Sequence, residues 1–397
     1  MQFSENVREI EASSTLAIAA RCRELRAQGR EVLDLGIGEP DFRTPDFIAE
    51  AGVASIEEGF TQYPPVAGLP TLREAIAQSI TRTTGKPADP AGVVVSSGAK
   101  QALFNACFSL FGPGDEVLLP VPYWTSYPAL IRLARAQPRF IQTNAEAGFR
   151  VTVAQLEAAR TPRVKGLILN SPSNPTGAVY PREELAAIAR WAQQHGIWII
   201  SDEIYGRICF TGPRAPSLLD VTDSLERAVI IDGASKAFAM TGWRLGYSYT
   251  TRKLAERLTA LQSQITSGAS TPAQHAAIAA FADHTRADSA VHAMAQVFAS
   301  RREQVLVHFA EHAPDIYCFP PDGAFYVFFR IDTCFNERTP DSTSFCRWVL
   351  DETDVAVVPG SAFGEDRFAR MSFAAPNATL VEAIRRVGQL VQPAARV

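Results

Sequence analysis

The chain is expected to fold as an α/β protein, with a mainly parallel sheet covered by helices on both faces and joined to a smaller α+β unit. Three observations point there. Between about residues 45 and 280, short β-branched runs such as Val93-Val94-Val95 alternate with alanine-rich helical stretches such as Leu185 to His195. The strands ending near Val95, Leu119, Leu169 and Ile200 each run into a turn of small or polar residues. That is where the site of an open sheet lies, outside the carboxyl ends of its strands. From about Ala290 the rhythm changes. A helix over roughly Val291 to His312 leads into Gly323 to Phe329, Val355 to Gly360 and Arg370 to Phe373, with helices between and after. At 397 residues the chain exceeds one ordinary core and fits two domains. The larger spans 45–285, and the smaller combines 286–397 with 1–44, including a helix from Ser14 to Gln28.

The strand ends carry chemistry when taken in chain order. Val93 to Ser96 is followed by Ser97-Gly98-Ala99-Lys100, a small-residue turn opening a helix. The free N–H groups of such a terminus cradle phosphate, although a plain connection has the same pattern. Glu116 to Leu119 leads to Pro122-Tyr123-Trp124, which puts an indole past a strand end as a ring-stacking surface or a core aromatic. Gly166 to Leu169 precedes Asn170-Ser171-Pro172-Ser173-Asn174-Pro175-Thr176-Gly177, dense in turn formers, with the Asn174 amide available to donate. Ile197 to Ile200 ends at Asp202, which either holds a ring nitrogen protonated or caps a following helix. Glu203 beside it faces solvent or a helix N-terminus.

The fifth strand end, after Ala228 to Ile231, is the most informative: Ser235-Lys236, with Arg244 eight residues further on. A lysine between an apolar strand and the turn Gly242-Trp243-Arg244-Leu245-Gly246 is badly placed for a solvated charge. It suits a covalent bond to a carbonyl cofactor, because a desolvated amine near other cations gives up its proton and becomes nucleophilic. Arg244 supplies the bidentate fork for a phosphate. Taken alone the pair also reads as a surface lysine and a structural arginine; beside the other four strand ends, the cofactor it fits would be pyridoxal phosphate.

Together these segments resemble the fold-type I pyridoxal phosphate-dependent aminotransferases of class I/II, closest to the aspartate aminotransferase branch with a Gly-x-Lys-Gln motif, here Gly98-Ala99-Lys100-Gln101. The resemblance runs from Leu35-Gly36-Ile37-Gly38-Glu39-Pro40-Asp41-Phe42 through Tyr63-Pro64-Pro65-Val66-Ala67-Gly68 to Phe368-Ala369-Arg370-Met371-Ser372. It implies a seven-stranded-type large sheet and a homodimer with shared active sites. By the same resemblance Lys236 is the Schiff-base lysine and the catalytic proton carrier. Arg244, Ser235 and the backbone of Gly98, Ala99 and Lys100 hold the phosphate, and Tyr63 reaches the phosphate in the neighbouring subunit. Trp124 stacks on the ring, Asp202 pairs with its nitrogen, and Asn174 and Tyr205 meet its phenolic oxygen. Arg370 and Asn174 hold the substrate α-carboxylate, with Gly38 giving a backbone contact and Trp124 and Lys100 also touching substrate. A small-domain movement closes the site over substrate, with the Ser14 to Gln28 helix near its mouth.

Composition sets limits on other readings. A net charge of −4 from 38 basic and 42 acidic residues gives no footprint for nucleic acid or an anionic membrane. Six scattered cysteines without a Cys-x-x-Cys pair favour a reducing compartment. Without a signal-peptide core in Met1 to Ile10 or an apolar run of spanning length, the expected location is cytoplasmic. Gly36-Ile37-Gly38 lacks the third glycine of a dinucleotide fingerprint, and Thr84-Gly85-Lys86-Pro87 is no phosphate loop. His308 and His312, at helical i, i+4 spacing and taken without a glutamate partner, read as a solvated helix face, so no metal is expected.

Substrate choice is the open part of the resemblance. Ser263 to Pro272 contains no arginine to hold a side-chain carboxylate across a dimer, as many aspartate aminotransferases do; resemblance to the Gly-x-Lys-Gln branch implies Lys100 in that role. Glu11-Ala12-Ser13-Ser14-Thr15 stands where relatives that accept prephenate carry a lysine. The expected reaction is transfer of an amino group between an L-amino acid, best aspartate, and 2-oxoglutarate by a ping-pong mechanism. Alternatives are aromatic or other amino acids, a carbon–sulfur β-lyase or a cyclopropane-carboxylate synthase on the same cofactor. An aminotransferase-like module of a transcription regulator is set aside, there being no room for a DNA-binding domain before Leu35.

Overall fold

The structure, a computed structural model, describes Ser4, Val7 and residues 14–391. Glu11, on which part of the substrate question turned, lies outside them. Thirteen strands are β1 Leu33–Asp34, β2 Val93–Ser96, β3 Glu116–Val121, β4 Gln137–Gln142, β5 Val164–Asn170, β6 Trp198–Asp202, β7 Ala228–Gly233, β8 Gly246–Tyr249, β9 Cys318–Phe319, β10 Tyr326–Arg330, β11 Val355–Ala356, β12 Val358–Pro359 and β13 Phe368–Ser372. Seven form one sheet in the order β2-β8-β7-β6-β5-β3-β4. β8 alone points against the other six strands of this sheet.

Runs of apolar residues form these strands because both faces are covered. Leu167 and Leu169 of β5, Ile199 of β6 and Ile230 of β7 belong to one core, shared with the helices Pro70–Thr84, Arg182–His195 and Thr271–Ala282. Their sequence neighbours Ile168, Ile200, Val229 and Ile231 point the other way, into a second core with the helices Ala99–Leu110, Tyr127–Leu133 and Arg252–Ser263. Fully burying each such side chain is worth about 1.5–3 kcal/mol. The strand ends are therefore held from above and below, and the turns leaving them inherit that rigidity.

The remaining strands build a four-stranded antiparallel sheet, β12-β13-β10-β9, and a parallel pair, β1-β11. Their core gathers Phe298, Phe309, Phe325, Phe329 and Phe373. The N-terminal stretch packs on this unit: Leu33 and Asp34 pair with Val355 and Ala356, and Cys22 and Leu25 of the helix Ser14–Ala27 pack with Leu350 and Ala356. The long helix begins at His284, seven residues before the position expected. Asp283 is its N-cap and accepts the Arg286 backbone N–H, a start signal present in the sequence and passed over. The helix touches two cores, Val291 in the large-sheet core and Met294 and Phe298 in the small one, and the extra length adds Ala287 to the first.

Candidate active site

A cavity of about 330 Å³ opens at the carboxyl ends of β5, β6 and β7, closed on one side by β10 and β13. Its walls include Gly38, Ala99, Lys100, Trp124, Asn174, Asp202, Tyr205, Ser235, Lys236, Arg244 and Arg370. Of the site residues read from sequence, all but two meet here. Gly98 stands just behind the wall, and Tyr63 is 94% exposed in a separate open groove formed with Thr266 to Pro272. The helix Ser14–Ala27 contributes none of the described lining residues.

Lys236 leaves the turn after β7, and its Nζ donates to the Gly38 carbonyl at 2.6 Å. Burial presses its pKa down to about 8. Glu39 opposes that shift, Arg244 and Arg370 add to it, and Asp202 opposes it in turn. Asp202, the last residue of β6, is 3% exposed. Its Oδ2 accepts the Tyr127 hydroxyl at 2.8 Å and its Oδ1 accepts the Ile204 backbone N–H at 3.2 Å. Burial lifts its carboxyl to about 6, while those two hydrogen bonds and the Lys236 charge pull the other way. No helix follows β6 directly, so Asp202 is not a cap. Glu203 is the one that meets a helix start: it accepts the Leu218 backbone N–H at 2.9 Å and the Ser201 hydroxyl at 2.8 Å.

Across the cavity, Arg370 of β13 is 2% exposed and has no carboxylate partner among the described residues. Its guanidinium donates to Asn174 Oδ1 at 2.9 Å and to the Gly36 carbonyl at 2.5 Å, and lies 4.4 Å from the centre of the Tyr326 ring. Its Nε is buried with no hydrogen-bond partner. An unsatisfied guanidinium donor in such a place costs free energy until an acceptor arrives, and a carboxylate is the acceptor that matches it. Asn174 is itself fixed, its backbone N–H donating to Asn170 Oδ1 at 2.8 Å.

The third corner is an anion cradle. Gly98 at φ +85° turns the chain from β2 into the twelve-residue helix at Ala99, and no side chain caps that helix. A Cβ on Gly98 would lie 2.6 Å from Arg244 Nη2, so glycine serves both the backbone angle and the guanidinium beside it. Arg244, itself at φ +56°, is held by one bond to the Thr241 carbonyl at 3.0 Å. Lys100 Nζ sits 4.9 Å over the Trp124 ring, its pKa lowered by burial and by Arg244.

Two residues of the site were missed in the sequence. Tyr127 hydrogen-bonds Asp202 and stands edge-on to Trp124 at 5.3 Å. Tyr326 shares a 2.9 Å hydrogen bond with the Tyr205 hydroxyl and underlies Arg370. Tyr127 had a faint signal, a second aromatic three residues after the indole. Tyr326 lay in an aromatic strand that reads as core.

A flat, phosphorylated aldehyde fits this arrangement: an anion cradle, an indole wall, a buried carboxylate, and a lysine amine of lowered pKa in one cavity. The comparisons decide the family. The pattern of the aminotransferase class I and II family matches residues 30–387. The chain belongs to that family. It is 39% identical to the aspartate aminotransferase of Streptomyces avermitilis over 99% of this chain and 97% of that one. It is 40% identical to the asparagine–oxo-acid transaminase of Streptococcus mutans over 97% and 98%. The aspartate aminotransferase of Thermus thermophilus with maleate superposes with a TM-score of 0.93 at 36% identity, covering 98% of this chain and 100% of that one. The protein is thus an aspartate aminotransferase-like transaminase, acting on amino and oxo acids, of a family that uses pyridoxal phosphate.

Proposed function

We propose that the chain binds pyridoxal phosphate and passes an amino group from aspartate to 2-oxoglutarate in two half-reactions, the first freeing Lys236 and the second returning it to its starting state. One observation carries the reading. A single cavity holds a buried carboxylate, Asp202, and a buried guanidinium, Arg370, neither bonded to a group of opposite charge, together with the Lys236 amine. An amino acid joined to the cofactor offers both missing partners, a ring N–H⁺ and an α-carboxylate.

Bound there, the cofactor supplies an aldehyde for the amino group and a protonated ring that takes up the electron pair left when Cα loses its proton. Arg244, Ser235 and the N–H groups opening the helix Ala99–Leu110 hold its phosphate. Trp124 stacks on the ring, Asp202 keeps the nitrogen protonated, and Asn174 and Tyr205 hold the phenolic oxygen. Arg370, with Asn174 behind it and the Gly38 backbone nearby, fixes the substrate carboxylate. Lys236 carries the proton away from Cα. An amine with a pKa of about 8 suits that exchange near neutrality.

For the side-chain carboxylate of aspartate we assign Lys100, which lines the cavity beside Trp124. The Streptococcus mutans relative supports a second reading, asparagine as donor. Mixing the holoenzyme with single amino acids and timing the loss of its yellow colour separates them: aspartate reacts fastest on the first reading, asparagine on the second. In the Lys100→Met variant, aspartate should lose about tenfold or more in rate while asparagine changes little, as befits loss of one charge-assisted contact.

We further propose a homodimer in which Tyr63 completes the partner's phosphate site. Tyr63 is 94% exposed, and Val53, Ile56, Phe60 and Ile265 are exposed apolar side chains in neighbouring segments. Residues 45–285 form the large domain, with 1–44 and 286–397 as the small one that closes over substrate. A cytoplasmic location accords with six free thiols. No described helix is long and apolar enough to cross a membrane.

A further inference from the structure

Far along the chain from the cavity residues of β5 to β7, the last turn of the helix His284–His312 carries His308, Glu311 and His312 at i, i+3 and i+4. Glu311 stands between the two histidines, a carboxylate partner that the i, i+4 pair taken alone lacks. None of the three lines the active-site cavity. We propose that they form a binding site for a divalent transition ion of the Zn²⁺, Ni²⁺ or Cu²⁺ class.

Four features support the assignment. The donor atoms of all three side chains lie within 4.8 Å of one another, and no other three such donors gather this way among the described residues. Metal bonds of about 2.0–2.1 Å at tetrahedral angles place donors about 3.4 Å apart, so donors that lie within 4.8 Å need to draw together by at most about 1.4 Å. The two imidazoles are already nearly parallel, 12° between planes and 5.9 Å between centres, and His308 Nδ1 is 3.1 Å from Glu311 Oε2. Two imidazoles and a carboxylate are a donor set that this class of ion favours over Mg²⁺ or Ca²⁺.

The surroundings fit as well. A helix C-terminus presents partial negative charge, which favours a cation there. The backbone beneath is braced: a Cβ on Gly388, in the helix Asn377–Val391, would sit 2.7 Å from the His312 carbonyl carbon. The side chains of His308 and Glu311 are 23% and 56% exposed, so an ion reaches them from solvent and keeps water at its other positions. Bound there, the ion clips the last helical turn.

The test is calorimetric titration of Ni²⁺ into tag-free holoenzyme, alongside His308→Gln and Glu311→Gln, both at partly exposed positions that leave folding and transamination intact. The expected result is one saturable ion per chain, weakened at least about tenfold in each variant, with a Ni²⁺-dependent rise in melting temperature that the variants lose. Absence of saturable binding, or equal affinity in wild type and both variants, would overturn the assignment.

Discussion

Asp202 and Arg370 are both buried charges, and the cavity holds them in opposite ways. Asp202 ends a strand of the seven-stranded sheet and is pinned by two short-range donors, a tyrosine hydroxyl and a backbone N–H, yet burial still lifts its pKa to about 6. Arg370 belongs to the small antiparallel sheet and rests on neutral acceptors and aromatic faces, with one nitrogen left over. Placing the two against each other would give an ordinary internal ion pair and no site. Kept apart, each retains the desolvation cost that a ligand of opposite charge relieves. On the proposed reading the division also assigns labour: the large sheet would govern the chemistry of the ring, and the small sheet the grip on substrate.

That division is broken most severely by Asp202→Asn, which keeps the shape and removes the charge. Its kcat is expected to fall about a thousandfold, with KM little changed, since a preorganised charge acts mainly in the transition state. Steady-state kinetics showing the loss in KM instead would erase the distinction. Arg370→Lys keeps the charge and removes the fork. It should lower kcat/KM for aspartate about a hundredfold, chiefly by raising KM.

Tyr127→Phe sharpens the comparison by testing the support of Asp202 alone. Loss of a buried hydrogen bond to a charged group is worth about 1.5 kcal/mol, so kcat should drop about tenfold. The pKa of Asp202 should rise further, because the bond that lowers it is gone. The smallest effect concerns the group between the poles. On the proposed reading Lys236 would react with the cofactor aldehyde only as free amine, and burial brings its pKa down to about 8. Cofactor uptake by stripped enzyme should therefore accelerate about fivefold from pH 7 to pH 8 and level off above that. Stopped-flow absorbance would show the plateau; continued rise beyond pH 9 would mean an ordinary lysine.

How far the sequence foretold all this depends on distance along the chain. The strand-end turns were legible because each is a short run of distinctive residues directly after an apolar strand. Gly98, Trp124, Asn174, Asp202 and Lys236 announce themselves locally. What remained hidden was pairing across the fold. Nothing near Tyr127 indicates that its hydroxyl meets a carboxylate 75 residues on, and Tyr326 sits among phenylalanines in a strand whose pattern states burial alone. The mainly parallel sheet followed from alternation of strands and helices and its seven strands from the family resemblance, whereas the antiparallel setting of β8 within it depends on pairing with β2 and β7. Helix boundaries shifted where a cap was overlooked, as at Asp283.

All of these expectations require the cofactor to be bonded at one position. Reducing the holoenzyme with borohydride and mapping the labelled peptide tests that directly. The reduced pyridoxyl group should be found on Lys236, in the peptide containing Ser235 and Ala237. Label on another lysine, or none after reduction of a yellow enzyme, would contradict the assignment of the site.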